Sequence, residues 1–234
     1  MAFSVHGLSA ITAVTIQNTT GVSAIHDLSD HVVADQITGV ITDIPPDAIK
    51  TGMLRSARIV EAVQDALGGL DVPIVVDPVI SSSTGHSLMS EGGVPAMHRF
   101  ISRARLVTPN LMEASALTGT RVLDVTTMRQ AAMALVRSGA GAALVTGGHL
   151  DGPPVDVLFD GDRLYEFEDK RIDAPNSHGT GCTLSAAITA SLAQGRDLVT
   201  SITEARGFVR HALETALDIG YGSGPVNQAW RSDR

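Results

Sequence analysis

Short β-branched apolar runs alternate with amphipathic stretches along this chain, the sequence form of repeated strand-helix-strand units around a mainly parallel sheet. The runs are Ser9 to Gln17, Ala48 to Met53, Pro73 to Asp77, Arg105 to Thr108 and Ala142 to Thr146, and each ends in polar or turn-forming residues. Between them, Ser56 is placed to cap a helix whose Ile59, Val60, Val63 and Leu67 make one apolar stripe before Gly68-Gly69 stops it. A second helix is predicted from near Thr126 to Ser138-Gly139. A third, from about Ser29 to Asp43, groups Val33, Ile37, Val40 and Ile41 despite Gly39 in its interior. From Val155 to Ile172 the pattern changes: Val155 to Phe159 and Arg163 to Phe167 flank Asp160-Gly161-Asp162, which predicts an antiparallel hairpin at the sheet's edge. Two helical stretches follow. Thr183 to Gln194 carries Leu184, Ile188 and Leu192, and Thr200 to Leu217 carries Ile202, Ala205, Val209, Ala212 and Ala216. The expected architecture is α/β, with helices layered on a mainly parallel sheet that has an antiparallel edge.

The 234 residues are enough for one large α/β core, and no linker interrupts them, so residues 1–234 are expected to form a single domain. A formal net charge of -8 and only 3% aromatic residues argue against a nucleic-acid surface and favour a small-molecule partner. No apolar run approaches the ~20 residues needed to span a bilayer, and the N-terminus lacks a signal-peptide layout, so the protein is expected in the cytoplasm with no membrane partner. Its one cysteine, Cys182, is either buried filler or a chemically used thiol. The eight histidines show no close metal-ligand spacing.

The most informative stretch is Asn176-Ser177-His178-Gly179-Thr180-Gly181-Cys182-Thr183-Leu184-Ser185, a glycine-rich turn leading into an alanine-rich helix. Glycines let several backbone N–H groups converge, and a helix N-terminus adds unpaired donors and a positive dipole end, which together suit an anion. A thiol in that first turn is expected to have its thiolate favoured. The plainer alternative is that the glycines end a loop and Cys182 packs as a small apolar side chain.

The run His178 to Ser185 resembles the anion-hole signature of the hydroxymethylpyrimidine and phosphomethylpyrimidine kinases of thiamine synthesis, within the ribokinase-like superfamily. Further stretches agree in order: Ile11-Thr12-Ala13 with Gln17-Asn18-Thr19, Lys50-Thr51-Gly52-Met53-Leu54, Asp77-Pro78-Val79, Thr108-Pro109-Asn110-Leu111-Met112-Glu113-Ala114 and Gly147-Gly148-His149-Leu150. Most relatives outside this branch and its near cousins carry aspartate where Cys182 stands. The resemblance implies a ribokinase-like three-layer sandwich, ATP and Mg²⁺ as cofactors, and a homodimer. It assigns catalysis to Cys182 with Gly179, Thr180 and Gly181, and the pyrimidine to Gln17, Met53 and Val79. To the nucleotide it assigns Asp77, Asn110, Thr146, Gly148 and His178, and to the metal Glu113. Each has a plainer reading: Gln17 as a polar strand end, Met53 as core, and Asn110 with Glu113 as a helix cap and a first-turn carboxylate. His178 and His149 are expected to orient loops rather than transfer protons.

Two departures from the family pattern stand out. The family's opening strand, its Ala-Gly-x-Asp-Ser-Gly-Gly-Ala-Gly type loop and most of its first helix have no counterpart, and Met1 to Gly7 resembles that helix's end. A strand-helix piece of roughly 30 residues is thus expected to be missing, leaving Gln17 and Met53 more open than in an intact pocket. Thr146 stands where relatives commonly have a lysine that reaches the nucleotide phosphates. The expected function is ATP-dependent phosphorylation of 4-amino-5-hydroxymethyl-2-methylpyrimidine and of its monophosphate. The alternatives are a pyridoxal or pyridoxine kinase, or a non-catalytic truncated homologue.

Overall fold

The computed structural model describes residues 2–81, 88–90, 92–174 and 176–231. The chain opens with a hairpin of β1 (Ala13–Asn18) and β2 (Gly21–Asp27), followed by helix α1 (Asp30–Asp43). Next come β3 (Ile49–Thr51), α2 (Ala57–Ala66), β4 (Ile74–Val76), α3 (Gly93–Phe100), β5 (Leu106–Val107), α4 (Leu111–Thr118), α5 (Val125–Arg137) and β6 (Ala143–Val145). The edge hairpin β7 (Val155–Phe159) and β8 (Leu164–Glu168) leads to α6 (Thr180–Ala193) and α7 (Leu198–Glu214).

Strands β3 to β8 form one sheet in sequence order, parallel from β3 to β6 and antiparallel at β6-β7 and β7-β8. Successive strand side chains point to opposite faces, and this sheet uses both. Val76, Val107 and Val145 join the core beneath α2 to α5, while Val75, Leu106 and Leu144 join the core with Ile188, Ile202 and Phe208 of α6 and α7. Continuous apolar triplets such as Ile74-Val75-Val76 are thus buried on both faces, as central parallel strands require.

The edge hairpin turns where expected. Asp160 Oδ1 accepts from the backbone of Asp162 and Arg163, and Gly161 takes φ 101°, a left-handed conformation open to glycine at little cost. Ser56 caps α2 by accepting from Ile59 N at 3.3 Å, and Ile59, Val60 and Val63 are buried. Asp124 and Asp197 cap α5 and α7, so these helices start one and two residues ahead of the predicted Thr126 and Thr200. Helix α6 likewise begins at Thr180 rather than Thr183, because Gly179 serves as its N-cap.

The run Ser9 to Gln17 departs from its expected place in the parallel sheet. Its strand, β1, pairs antiparallel with β2 in a separate two-stranded sheet, bulged between Ile16 and Gln17. Val14 is 52% exposed and Ile16 53%, so one apolar face of this hairpin is uncovered. Apolar character marks a strand but not the sheet it joins. Asn18 turns the hairpin by accepting from Thr20 N and Thr20 Oγ1.

Candidate active site

Because β3 to β6 are parallel, their carboxyl ends open on one side of the sheet, where ligands of open α/β sheets bind. Backbone bonds knit these ends together: Asp77 N donates to Thr51 O at 3.1 Å, Thr108 N to Val76 O at 3.0 Å, and Thr146 N to Pro109 O at 2.9 Å. Asp77, Thr108, Asn110 and Thr146 therefore leave adjacent strands together. The hydroxyls of Thr51 and Thr108 are buried on this side without a hydrogen-bond partner.

The glycine turn faces the same side. Gly179 sits at φ 89°, and the first bond of α6 runs from Thr183 N to Gly179 O at 2.9 Å. The N–H groups of Gly181 and Cys182 precede that bond, both residues are exposed, and no described residue accepts from them. Chain from both sides holds the turn. Buried Asn176 accepts from Gly224 N at 2.8 Å, His178 bridges to Pro225, and Gln228 Nε2 donates to Thr183 Oγ1 at 2.7 Å.

Ser185 joins the turn to the sheet by donating to Asp77 Oδ2 at 2.9 Å. Lys50 Nζ lies 3.4 Å from the same oxygen. The Asp77 side chain is only 7% exposed, so its charge is held by these two partners rather than by water. Cys182 is exposed at its own surface, yet the surrounding protein displaces enough water to push the thiol's pKa up. The nearby Asp77 carboxylate pushes the same way and Lys50 opposes both. Lost hydration and a neighbouring carboxylate thus act against the favoured thiolate expected from the helix terminus alone.

Asn110 and Glu113 form a full capping box. Asn110 Oδ1 accepts from Met112 N and Glu113 N, and Glu113 Oε2 accepts from Asn110 N at 2.9 Å. The plainer reading of that spacing is thus real, but it does not exhaust Glu113. Its other oxygen accepts from Ile80 N at 3.4 Å, and the side chain is buried close enough to Asp77 to feel its charge. Burial chiefly, and Asp77 in addition, push its pKa to about 7 against the pull of the Asn110 and Ile80 N–H groups.

On the other flank, Gln17 is exposed and its amide nitrogen lies 3.4 Å from His178 Nε2, which joins the tip of β1 to the glycine turn. Met53 is half-buried and its carbonyl accepts from Thr12 Oγ1 at 2.8 Å. Val79 follows Asp77 in a tight turn, half-buried. Ala2 and Phe3 are held elsewhere: Phe3 packs on Phe208, and Gln194 and Arg231 donate to the carbonyls of Phe3 and Ala2. Thr146 and Gly148 flank Gly147, whose N–H donates to Asp156 Oδ1 at 2.9 Å, while Arg206 holds Asp156 Oδ2 at 2.8 Å. Sequence reasoning passed over Lys50, Asp156 and Arg206. Lys50 stood inside a quoted motif, but a strand lysine ordinarily points to water.

A three-layer α/β fold with a glycine-rich helix start at the carboxyl ends of its strands, beside a buried carboxylate and an exposed thiol, defines the ribokinase-like class of small-molecule kinases. The family model for phosphomethylpyrimidine kinase matches residues 1–227. The hydroxymethylpyrimidine/phosphomethylpyrimidine kinase of Streptomyces coelicolor is 41% identical over 231 residues, 98% of this chain and 86% of that protein. The corresponding kinase of Bacillus subtilis is 40% identical over 227 residues, 95% of this chain and 84% of that one. The chain belongs to the phosphomethylpyrimidine kinase family and is a phosphotransferase. Among solved structures, phosphomethylpyrimidine kinase from Clostridium difficile superposes with a TM-score of 0.80 at 33% identity, over 90% of this chain and 89% of that one. The ADP complex of Bacillus subtilis pyridoxal kinase superposes with a TM-score of 0.90 at 29% identity, over 100% and 90%.

Proposed function

We propose that residues 1–234 act as one kinase domain that transfers the γ-phosphoryl group of ATP to 4-amino-5-hydroxymethyl-2-methylpyrimidine, and then phosphorylates the monophosphate, in the cytoplasm. The observation that carries this reading is the pair of N–H groups at Gly181 and Cys182, at a helix start beside the strand ends, from which no described residue accepts. Phosphoryl transfer asks little covalent chemistry of a protein; it needs positioning and donors for the equatorial oxygens. Gly179, Thr180, Gly181 and Cys182 supply those donors. The substrate hydroxyl forms the new P–O bond as the bond to ADP breaks, and its proton passes to Cys182. With its pKa raised, the thiol must first give its own proton to solvent, and the thiolate so formed then accepts the proton of the hydroxyl.

Gln17, Met53 and Val79 make the pyrimidine side, an exposed amide beside apolar surface. The nucleotide lies along Asp77, Asn110, Thr146 and Gly148, with His178 bracing the turn against Gln17. Mg²⁺ commonly takes one or two carboxylates and completes its shell with substrate phosphates and water. Glu113, a buried carboxyl titrating near 7, fits that mode, since an approaching cation favours its ionised form. Bound there, the ion would neutralise charge on the phosphates.

The closer superposition on pyridoxal kinase supports pyridoxal as a second substrate to test. Initial rates with the hydroxymethylpyrimidine and with pyridoxal, measured for the protein and its Cys182→Ala variant together with their melting temperatures, decide both points. The expected result is a higher kcat/KM for the pyrimidine, and a loss of ~10²- to 10⁴-fold in the variant with little change in melting. Preference for pyridoxal would replace the substrate, and unchanged turnover in the variant would leave the chemistry to the backbone donors.

A further inference from the structure

Three observations converge on a residue to which the family reading gives no role. Lys50 Nζ lies 3.4 Å from Asp77 Oδ2, the oxygen that also accepts from Ser185 of α6, and both charged side chains are mostly shielded from solvent. Gly52 makes room for it: a Cβ built there would lie 3.1 Å from Lys50 Nζ. The same Ser185 hydroxyl that donates to Asp77 Oδ2 lies 3.2 Å from Cys182 O, so the carboxylate so held sits against the turn that carries the thiol, and its charge opposes the thiolate. We propose that Lys50 is a positioning residue, whose ammonium reaches beneath Gly52 to offset the charge of Asp77 where that carboxylate meets the first turn of α6, and so eases loss of the Cys182 proton.

Like charges near a thiol disfavour its thiolate and an opposite charge favours it. The charged groups facing Cys182 are Asp77 at the end of β4, Lys50 on β3 and Glu113 on α4. Helix α7 also packs on α6, but its charges are engaged elsewhere: Arg206 with Asp156, Arg210 with Asp169 and Glu214, and Glu204 with Arg196. His211 stacks on Trp230, and His178 faces Gln17. Among the described residues, Lys50 is thus the cation set against two carboxyl groups. The inference rests on the proposed function for the meaning of the thiol, but its test needs no turnover.

Cys182 is the single cysteine of the chain, so alkylation by iodoacetamide, followed by mass, reads that thiol alone. The thiolate attacks the methylene carbon and iodide leaves, so the rate against pH yields a titration midpoint. Lys50→Met is expected to raise the midpoint by about one pH unit, a tenfold drop in thiolate at neutral pH. Lys50→Arg should stay near the wild-type value. An unchanged midpoint in a folded Lys50→Met protein overturns the proposal. Should that variant fail to fold, Asp77→Asn is compared with Asp77→Asn/Lys50→Met, which carries no lone buried anion; the double variant must titrate higher, and equality also overturns the proposal. A shifted midpoint in a protein that does not phosphorylate the pyrimidine would refute the proposed substrate and leave the role of Lys50 standing.

Discussion

Asp156 shows how much one side chain of this fold carries. Its two oxygens serve different elements, one the backbone of Gly147 beside Thr146 and Gly148, the other the guanidinium of Arg206, which also donates to Phe167 O at 2.8 Å. The pair is largely shielded, with side chains 13% and 15% exposed. Removing one partner of a buried pair leaves the other charge without compensation and costs ~3 kcal/mol or more. Asp156→Ala is therefore expected to lower stability in urea by about that amount, while Asp156→Asn, which keeps an acceptor for Gly147, should lose less. Equal unfolding midpoints for the two variants would show that the bond from Gly147 N contributes nothing measurable. Gly147 cannot answer for itself in this way: a Cβ there would lie 2.0 Å from Val155 O, so any larger residue displaces the loop directly.

Among the helices, α1 is the least securely held. Only Val33 is fully buried, Ser29 makes no side-chain cap bond, and Gly39 sits in its interior. Glycine in a helix costs ~1 kcal/mol relative to alanine through the freedom the unfolded chain loses. A Cβ at Gly39 would meet nothing within 4 Å, and its φ is not in the left-handed region. Gly39→Ala should accordingly raise stability by about 0.5–1 kcal/mol, read as a higher urea midpoint with an unchanged slope. A lower midpoint would mean that this face of α1 meets a neighbour absent from the single chain. Helix α6 presents the opposite case, with Leu184, Ile188 and Leu192 buried and its N-terminus braced by Asn176 and Gln228, as a site that must not move requires.

For the molecule as a whole, the hairpin of β1 and β2 is the part left unfinished. Val14 and Ile16 stand more than half exposed on an isolated two-stranded sheet, and such hairpins are marginal in water without a covering surface. A second copy of the chain would offer a like surface, and a homodimer is the occupant to test. Sedimentation should show a dimer at micromolar concentration, and Val14→Glu/Ile16→Glu should shift it to monomer while the six-stranded sheet stays folded. A monomeric wild-type protein would require another cover for this face. Because Gln17 ends the same strand and lies against His178, loss of the dimer should also raise KM for the pyrimidine more than it lowers kcat.

Most of the main sheet was legible in the residues themselves. A run such as Ile74-Val75-Val76 can be satisfied only between two apolar layers, and Asp160-Gly161-Asp162 allows little besides a tight turn. The helix stripe of Ile59, Val60 and Val63 and the glycine turn before α6 were equally readable, since period and backbone freedom are local properties. Strand β2 and helix α3 went unread, and of α4 only the capping pair Asn110 and Glu113 was read. Sequence alone could not say that β1 leaves the parallel sheet, because pairing depends on which edge is free. Nor could it give the direction in which the fold pushes the Cys182 thiol. A helix start favours the thiolate by a local rule, but Asp77 arrives from a strand 105 residues earlier and Lys50 from another, and only the folded sheet brings them together. Local order sets which elements form; long-range contact and lost hydration decide what the groups between them can do.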